Sequence, residues 1–223
     1  MADYLKIVYD TKTRPKTTYP AKFASLLFLK YGMKAGETLL EAGCGRGEFL
    51  AEFQSLGLKC TGIDLSPQAG SLAPGVEIKT GVNFDQDIWP FPDNHFDIIY
   101  NKSVIEHLRR PDYFLKEAHR VLKPGGKMLC LTPDWETQYI TFFDDFTHHT
   151  PFTTVSMNVI LQMCDFSGIE VYKFRQLPIV WKYPIINRFC AFISPFINIR
   201  TKKKFLRWSR ELMLFGYATK PFI

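Results

Sequence analysis

The stretch LLEAGCGRGEFL, residues 39–50, ends an apolar run, turns on three glycines at alternate positions (Gly43, Gly45 and Gly47) and enters a helix. Glycine permits a tight turn and lets a ligand approach the backbone closely. The start of the helix adds N–H groups that lack intrahelical partners. Alone, this pattern fits a nucleotide-binding turn and a plain tight turn equally well.

Two acids sharpen it. Asp64 ends the next strand, in GIDLSP, 21 residues after Gly43 (64 − 43). A carboxylate so placed can accept both ribose hydroxyls of an adenosine lying across a sheet edge. The plainer alternative is a cap on the turn at Ser66-Pro67. Glu41 stands just before the first glycine. A dinucleotide pyrophosphate would be repelled there, whereas a ligand carrying an ammonium would be attracted, which points away from NAD and toward S-adenosylmethionine.

Outward from this stretch the chain alternates. Strands are predicted over Thr38–Glu41, Cys60–Asp64, Val76–Thr80, Phe96–Asn101, Lys127–Thr132, Ile169–Gln176 and Leu212–Ala218. Helices are predicted over Pro20–Tyr31, Glu48–Leu56, Tyr113–Leu122 and Val155–Asp165, with Lys123-Pro124-Gly125-Gly126 a sharp stop after the third. Such alternation implies parallel β-α-β units in a sheet covered on both faces. The 223 residues, 46% apolar and 22% charged, suit one globular domain and exclude global disorder, collagen-like repeats and a coiled coil.

Five landmarks stand in order: LLEAGCGRGEF, GIDLSP, WPFPDNHFDIIYNKSVIEHL, RVLKPGGKMLCLTP and FTHHTPFT. Together they resemble the class I S-adenosylmethionine-dependent methyltransferases, of the type 11 group, from about residue 37 to 170. The resemblance implies an α/β, Rossmann-like fold with a seven-stranded, mostly parallel sheet, an antiparallel last strand and helices on both faces. It implies S-adenosyl-L-methionine as cofactor, leaving S-adenosyl-L-homocysteine as product. By position, the backbone of Gly43, Cys44 and Gly45 would face the methionine part, and Glu41 would lie near its amino group. Asp64 would hold the ribose, Leu65 would lie against the adenine, and Asn101 and Lys102 would line the methionine end. Relatives often place an Asp at the adenine amino group; here the matching position is Asn83, followed by Phe84, and Asn still offers a carbonyl oxygen.

The cofactor's sulfonium makes its methyl group electrophilic, so the protein mainly aligns a nucleophile, and a hydroxyl must also lose its proton. Candidate bases are His107, His148, His149 and the pair Asp144-Asp145. His148, in FTHHTPFT, is the first choice, because the resemblance places a similar Thr-His near the substrate of quinone-pathway O-methyltransferases. The alternative is a loop histidine that shapes the pocket. His107 is more readily a residue that packs the loop after the fourth strand, and Asp145 is more readily an exposed acid than a group that orients His148. Some quinone-pathway relatives carry E-x-x-E-H here and hold a divalent metal with it. Ser103 replaces the first carboxylate, so no required metal is expected.

Charge is uneven. Residues 1–181 hold 19 basic and 21 acidic groups, whereas 182–223 hold 9 basic and 1 acidic, net −2 and +8. Residues 177–210 combine Trp181, Tyr183, Phe189, Phe192, Phe196, Phe205 and Trp208 with Lys202, Lys203, Lys204, Arg207 and Arg210. Three readings stay open: a helical lid, a patch for an anionic membrane surface, and a nucleic-acid patch. Clustered Ile and Phe make nucleic acid the least favoured. The run Leu177–Ile199 is interrupted by three prolines and two cations, too often for a spanning helix. Five cysteines without metal spacing and a start without an apolar leader suit a cytoplasmic protein, peripheral at most to the inner face of a membrane.

The expected organisation is one domain: an N-terminal helical cap (1–35), a cofactor-binding core (36–176), a basic aromatic insertion or lid (177–210) and the last strand (211–223). The expected function is methyl transfer to a small-molecule or lipid-linked acceptor, glycan or quinone-like, at oxygen. The alternatives are N-methylation, RNA or protein methylation, or a regulatory protein that binds cofactor without turnover.

Overall fold

From Thr38 onward apolar runs alternate with polar turns, and the computed structural model, which describes residues 15–222, resolves that alternation into one seven-stranded sheet. Residues 1–14 of the expected N-terminal cap, and Ile223, lie outside the described residues. The strands are β1 (Thr38–Ala42), β2 (Lys59–Asp64), β3 (Glu77–Thr80), β4 (Phe96–Lys102), β5 (Leu122–Pro133), β6 (Ser167–Phe174) and β7 (Met213–Thr219). Their order is β3-β2-β1-β4-β5-β7-β6. Strands β1 to β5 pair in parallel, and β7 runs antiparallel between β5 and β6.

The order reverses at β1, which pairs with β2 on one side and β4 on the other. Ligands of open α/β sheets bind outside the carboxyl ends of strands at such a switch point. Glu41, Asp64 and Asn101 all stand at those ends.

Period-two alternation sorts the strands into two cores. Leu40, Ala42, Ile99, Met128 and Cys130 face one layer with helices α3 (Pro111–Val121) and α5 (Thr154–Met163). Leu39, Ile98, Tyr100, Leu129 and Leu131 face the other with α1 (Tyr19–Lys30) and α2 (Glu48–Ser55). Helices α1 and α3 carry Pro in their first turn, where the missing N–H costs nothing. Helix α5 opens on a capping box: Ser156 N donates to Thr153 Oγ1 at 3.2 Å, and Thr153 N donates to Ser156 Oγ at 2.9 Å.

One stretch differs from expectation. Lys123–Gly126 was predicted as a plain stop after α3. It is drawn into β5, because Leu122 pairs with Phe96 and Gly125, at φ 75°, donates its N–H to Lys220 O. Residues 177–210, for which a helical lid was one of the open readings, fold as α6 (Pro178–Lys182), α7 (Pro184–Ile193) and α8 (Lys204–Arg210). The short helix α4 (Trp135–Gln138) follows β5 directly.

Candidate functional site

The glycine loop is fixed by its neighbours. Gly43 N and Cys44 N both donate to Ile63 O, at 2.8 and 3.3 Å, and Gly45 N donates to Asp64 Oδ2 at 2.8 Å. These three amides are spent inside the protein, so the loop is not a phosphate cradle, whose amides must point at the anion. Gly43 is required on two counts: its φ is 78°, and a Cβ there would stand 2.2 Å from Val104 Cγ2. The segment after β4 thus lies directly on the loop. In that segment Ser103 adopts φ 56°, a left-handed conformation that costs a non-glycine residue about 1–2 kcal/mol. Sequence reading saw Ser103 only as a missing carboxylate.

Glu41 is 3% exposed, and its Oε2 has no hydrogen-bond partner among the described residues. Burial, with Asp64 adding to it, pushes its carboxyl well above the usual range, against the pull of the Leu50 amide and Lys102. Asn101 is fully buried, and both Oδ1 and Nδ2 lack partners among the described residues. A buried polar atom left unpaired costs about 1–3 kcal/mol. Three such atoms beside the loop fit a zwitterionic amino-acid group: the carboxylate and Asn Oδ1 suit an ammonium, and Asn Nδ2 suits a carboxylate. On this count the residues present fit S-adenosylmethionine.

Asp64 accepts from Gly45 N and from Ser66 N, both at 2.8 Å. It therefore does cap the turn, the plainer of its two expected roles. A carboxylate has about four acceptor sites, so capping does not bar it from taking ribose hydroxyls as well. Leu65, next to it, is 60% exposed and presents an apolar face at the sheet edge.

Asn83 and Phe84 have partners within the protein. Asn83 Oδ1 accepts from Asp85 N at 3.0 Å, which leaves that oxygen a second lone pair, and the Asn83 backbone N donates to Asp87 Oδ2 at 2.8 Å. The Phe84 ring packs on Trp89 and Phe114 at 5.6 and 5.3 Å between centroids, so it anchors the core rather than lining a ligand surface.

Beyond β4 and β5 two of the expected histidines, His107 and His148, converge with Glu106, which had not been read as an acid or base. Glu106, His107 and His148 each bring one ligand-type atom within 4.8 Å of the others. Glu106 and His107 sit on a single helical turn, Ile105–His107. Glu106 Oε2 accepts from Thr132 Oγ1 of β5 at 3.0 Å, while Oε1 has no partner among the described residues. Burial pushes its carboxyl up to about 7. His148 Nδ1 lies 2.6 Å from Phe142 O. A carbonyl can only accept, so Nδ1 carries the hydrogen, and in the neutral ring the lone pair is then on Nε2.

Asp145, expected either to orient His148 or to stand as an exposed acid, is half-buried and reaches His107. Its Oδ1 accepts from Thr147 Oγ1 at 2.6 Å, and that hydroxyl stands 2.8 Å from His107 Nδ1. Because the hydroxyl proton goes to Asp145, Thr147 accepts from His107 Nδ1–H. The acid therefore positions His107 through Thr147. Burial, with His148 adding to it, lowers His107 to about 4, so this ring is neutral at pH 7. His149 is exposed and joins only through its backbone, donating to Glu106 O at 2.8 Å. Asp144 turns outward to an ion pair with Arg200 at 3.2 Å.

The expectation of no required metal rested on Ser103 within one short motif. The fold supplies a third group, His148, from some forty residues away. Two imidazoles and a carboxylate form a set that can hold a divalent ion.

Comparison with known proteins follows the same lines. A family model described as a methyltransferase domain matches residues 15–171. The ubiquinone biosynthesis O-methyltransferase of Nitrosococcus oceani is 33% identical over 104 residues, 44% of this chain and 44% of its own length. Among solved structures, a SAM dependent methyltransferase from Archaeoglobus fulgidus superposes with TM-score 0.68 at 18% identity, covering 98% of this chain and 100% of its own. A phosphoethanolamine N-methyltransferase from Haemonchus contortus, in complex with phosphomonomethylethanolamine and S-adenosylhomocysteine, superposes with TM-score 0.64 at 18% identity, covering 90% of this chain and 52% of its own. The chain spans about half the length, or less, of the curated relatives it matches.

Proposed function

The chain belongs to the class I S-adenosylmethionine-dependent methyltransferases, and from that premise we propose that it methylates an oxygen of a small-molecule or lipid-linked acceptor, glycan or quinone-like, with His148 as base. The observation that carries this is the His148 tautomer: the Phe142 carbonyl holds the proton on Nδ1 and leaves Nε2 to accept one. When bound, S-adenosylmethionine supplies an electrophilic methyl group.

The chain's own residues do the rest. Glu41 and Asn101 meet the amino-acid end, and Asp64 and Leu65 meet the nucleoside. Nε2 of His148 takes the acceptor's hydroxyl proton as the new O–C bond forms and the C–S bond breaks. Asp145 and Thr147 hold His107 beside it. General-base help of this kind contributes about 10²–10⁴-fold.

A second reading has its own observation, the three converging groups Glu106, His107 and His148. A divalent ion held there would supply Lewis acidity in place of a free base. Chelation separates the two: the base reading expects turnover to survive exhaustive dialysis against EDTA, and the metal reading expects loss restored by added Zn²⁺ or Mg²⁺.

The test of the proposal is transfer of isotopically labelled methyl from S-adenosylmethionine into a host extract split into lipid, small-molecule, RNA and protein fractions. Label in lipid or small molecules, lost in His148→Ala while S-adenosylhomocysteine still binds, is expected. Label in RNA or protein overturns the acceptor class, and label on nitrogen replaces O- by N-methylation. Unchanged turnover in His148→Ala removes His148 as base. Cofactor binding with no turnover in any fraction favours the regulatory alternative.

A further inference from the structure

Two segments far apart in sequence expose large apolar side chains on adjoining ground. On α7, Ile185, Phe189 and Phe192 stand at i, i+4 and i+7 and so share one stripe; all three are exposed. The opposite side of the helix does the packing, with Cys190 buried and Ile186 beside it against Leu177, Val180 and Trp208. Phe196, on the turn that follows, extends the stripe and is 82% exposed. The second segment follows α4 and exposes Tyr139, Ile140, Phe143 and Phe146, the last at 84%. The Arg200–Asp144 ion pair ties the two segments together, and Ile140 and Phe196 line one cleft of about 530 Å³.

Exposed apolar patches of this density mark interaction surfaces. Its surroundings say what kind. Residues 182–210 hold eight Lys or Arg and no Asp or Glu. Of these, Lys182, Arg188, Lys202, Lys203 and Lys204 are exposed, as are Arg200 and Arg207, which pair with Asp144 and Glu211. Arg188 lies on the same stripe as Phe189 and Phe192. Among the described residues no helix is long and apolar enough to cross a membrane, so these side chains serve a surface rather than a span.

We propose that the aromatic stripe Ile185–Phe196 and the loop 139–146 together dock this protein on an anionic lipid surface, the rings entering the headgroup layer and the flanking cations meeting anionic headgroups. The chemistry is complementary on both counts: aliphatic and aromatic groups favour the acyl boundary, and uncompensated Lys and Arg favour negative headgroups. The loop is the new element. It runs straight into the site, because Phe142, between the exposed Ile140 and Phe143, is the residue whose carbonyl holds His148. Docking therefore sets the acid–base cluster next to the lipid surface, which deepens the methyl-transfer reading by favouring an amphiphilic acceptor; the surface itself stands without that reading.

The test is co-sedimentation with vesicles of phosphatidylcholine alone and with one-third phosphatidylglycerol. Binding to the second and not the first, weakened by salt, is expected. Phe146→Ser with Phe196→Ser, and separately Lys202→Ala with Lys203→Ala, should each lower vesicle affinity by about tenfold or more. All four residues are exposed, and unchanged titration with S-adenosylhomocysteine shows that the variants remain folded. No binding to anionic vesicles, or binding that neither pair of changes affects, overturns the proposal. Equal retention on single-stranded RNA, lost with the lysines and kept with the phenylalanine variant, overturns it in favour of nucleic acid. Wild-type failure to bind S-adenosylhomocysteine would count against the methyl-transfer reading alone, because vesicle binding is read separately.

Discussion

Glu41 is a carboxyl group held out of water with one oxygen unpaired, at the end of an apolar strand. Its raised affinity for protons makes it neutral in circumstances where a surface glutamate is charged. A ligand ammonium beside it favours the charged form, so ligand binding should release a proton and tighten as pH rises. Titration calorimetry of S-adenosylhomocysteine in buffers of different ionisation enthalpy should show this release. Glu41→Gln should abolish it and weaken binding by about 10- to 100-fold, the worth of a hydrogen bond to a charged group. Glu106 behaves alike but reads out in stability. Its carboxyl rises from 4.5 to about 7 on folding because it is buried. The folded state therefore holds a proton that the unfolded chain releases, and the stabilisation is full below pH 4.5 and fades as pH climbs through about 7. That span corresponds to about 3 kcal/mol. Urea titrations in EDTA should show stability falling across this window in the wild type and a flatter profile in Glu106→Gln.

At the scale of elements, strands β1 and β4 are pinned at their entry by Asp97. Its carboxylate accepts from Thr38 N and Thr38 Oγ1, at 2.8 and 2.7 Å, and from Lys123 Nζ at 2.8 Å. Burial works against the charged form, but these bonds outweigh it and lower the pKa. A lowered carboxyl stabilises the fold above its unfolded pKa and loses that contribution as pH falls through the folded one. Asp97→Asn should thus lower the Tm at pH 7, and the gap from wild type should close in acid. Helix α5 offers a cleaner case. Thr153→Ala removes the side chain that caps Ser156 N and should cost about 1 kcal/mol in denaturant titration, a cap's usual worth. Elements such as the helix opening at Pro20 and the turn after β1 were legible because their signals are local, Pro at a first turn and glycine after an apolar run; the Thr153 cap emerged only in the structure. That residues 177–210 form helices was one open reading, but the bounds and buried faces of α6 to α8 were not legible, because their burial depends on partners elsewhere. Cys190 and Trp208, eighteen residues apart, share one small cluster with Leu177.

Across the whole molecule, the insertion is held to the core through aromatic packing. Trp181 lies 5.5 Å from both Phe23 of α1 and Phe174 of β6, and its Nε1 donates to Arg175 O at 2.8 Å. Trp181→Ala should cost about 3 kcal/mol, and hydrogen exchange should quicken first over 177–210, with β1, β4 and β5 least changed.

The glycine loop, the acid after β2 and the alternation of strands and helices could be read from the sequence because each depends on residues within a turn or a strand of one another. They pointed to a parallel α/β sheet and toward S-adenosylmethionine, while the family and the reversed last strand were what the resemblance of the five landmarks implied. The acid–base cluster could only be decided by tertiary structure. His148 meets Glu106 and His107 across some forty residues because β4 and β5 pair in parallel and deliver their following loops to the same edge. Adjacency suggested that Asp145 either serves His148 or stands exposed, but the Thr147 hydroxyl links it to His107. Likewise, composition showed that the C-terminal part is basic and aromatic, while only packing separates Cys190, facing inward, from Phe192, facing out. Sequence spacing constrains which groups can share a helix or strand; which groups share a pocket or a surface is settled by how those elements are brought together.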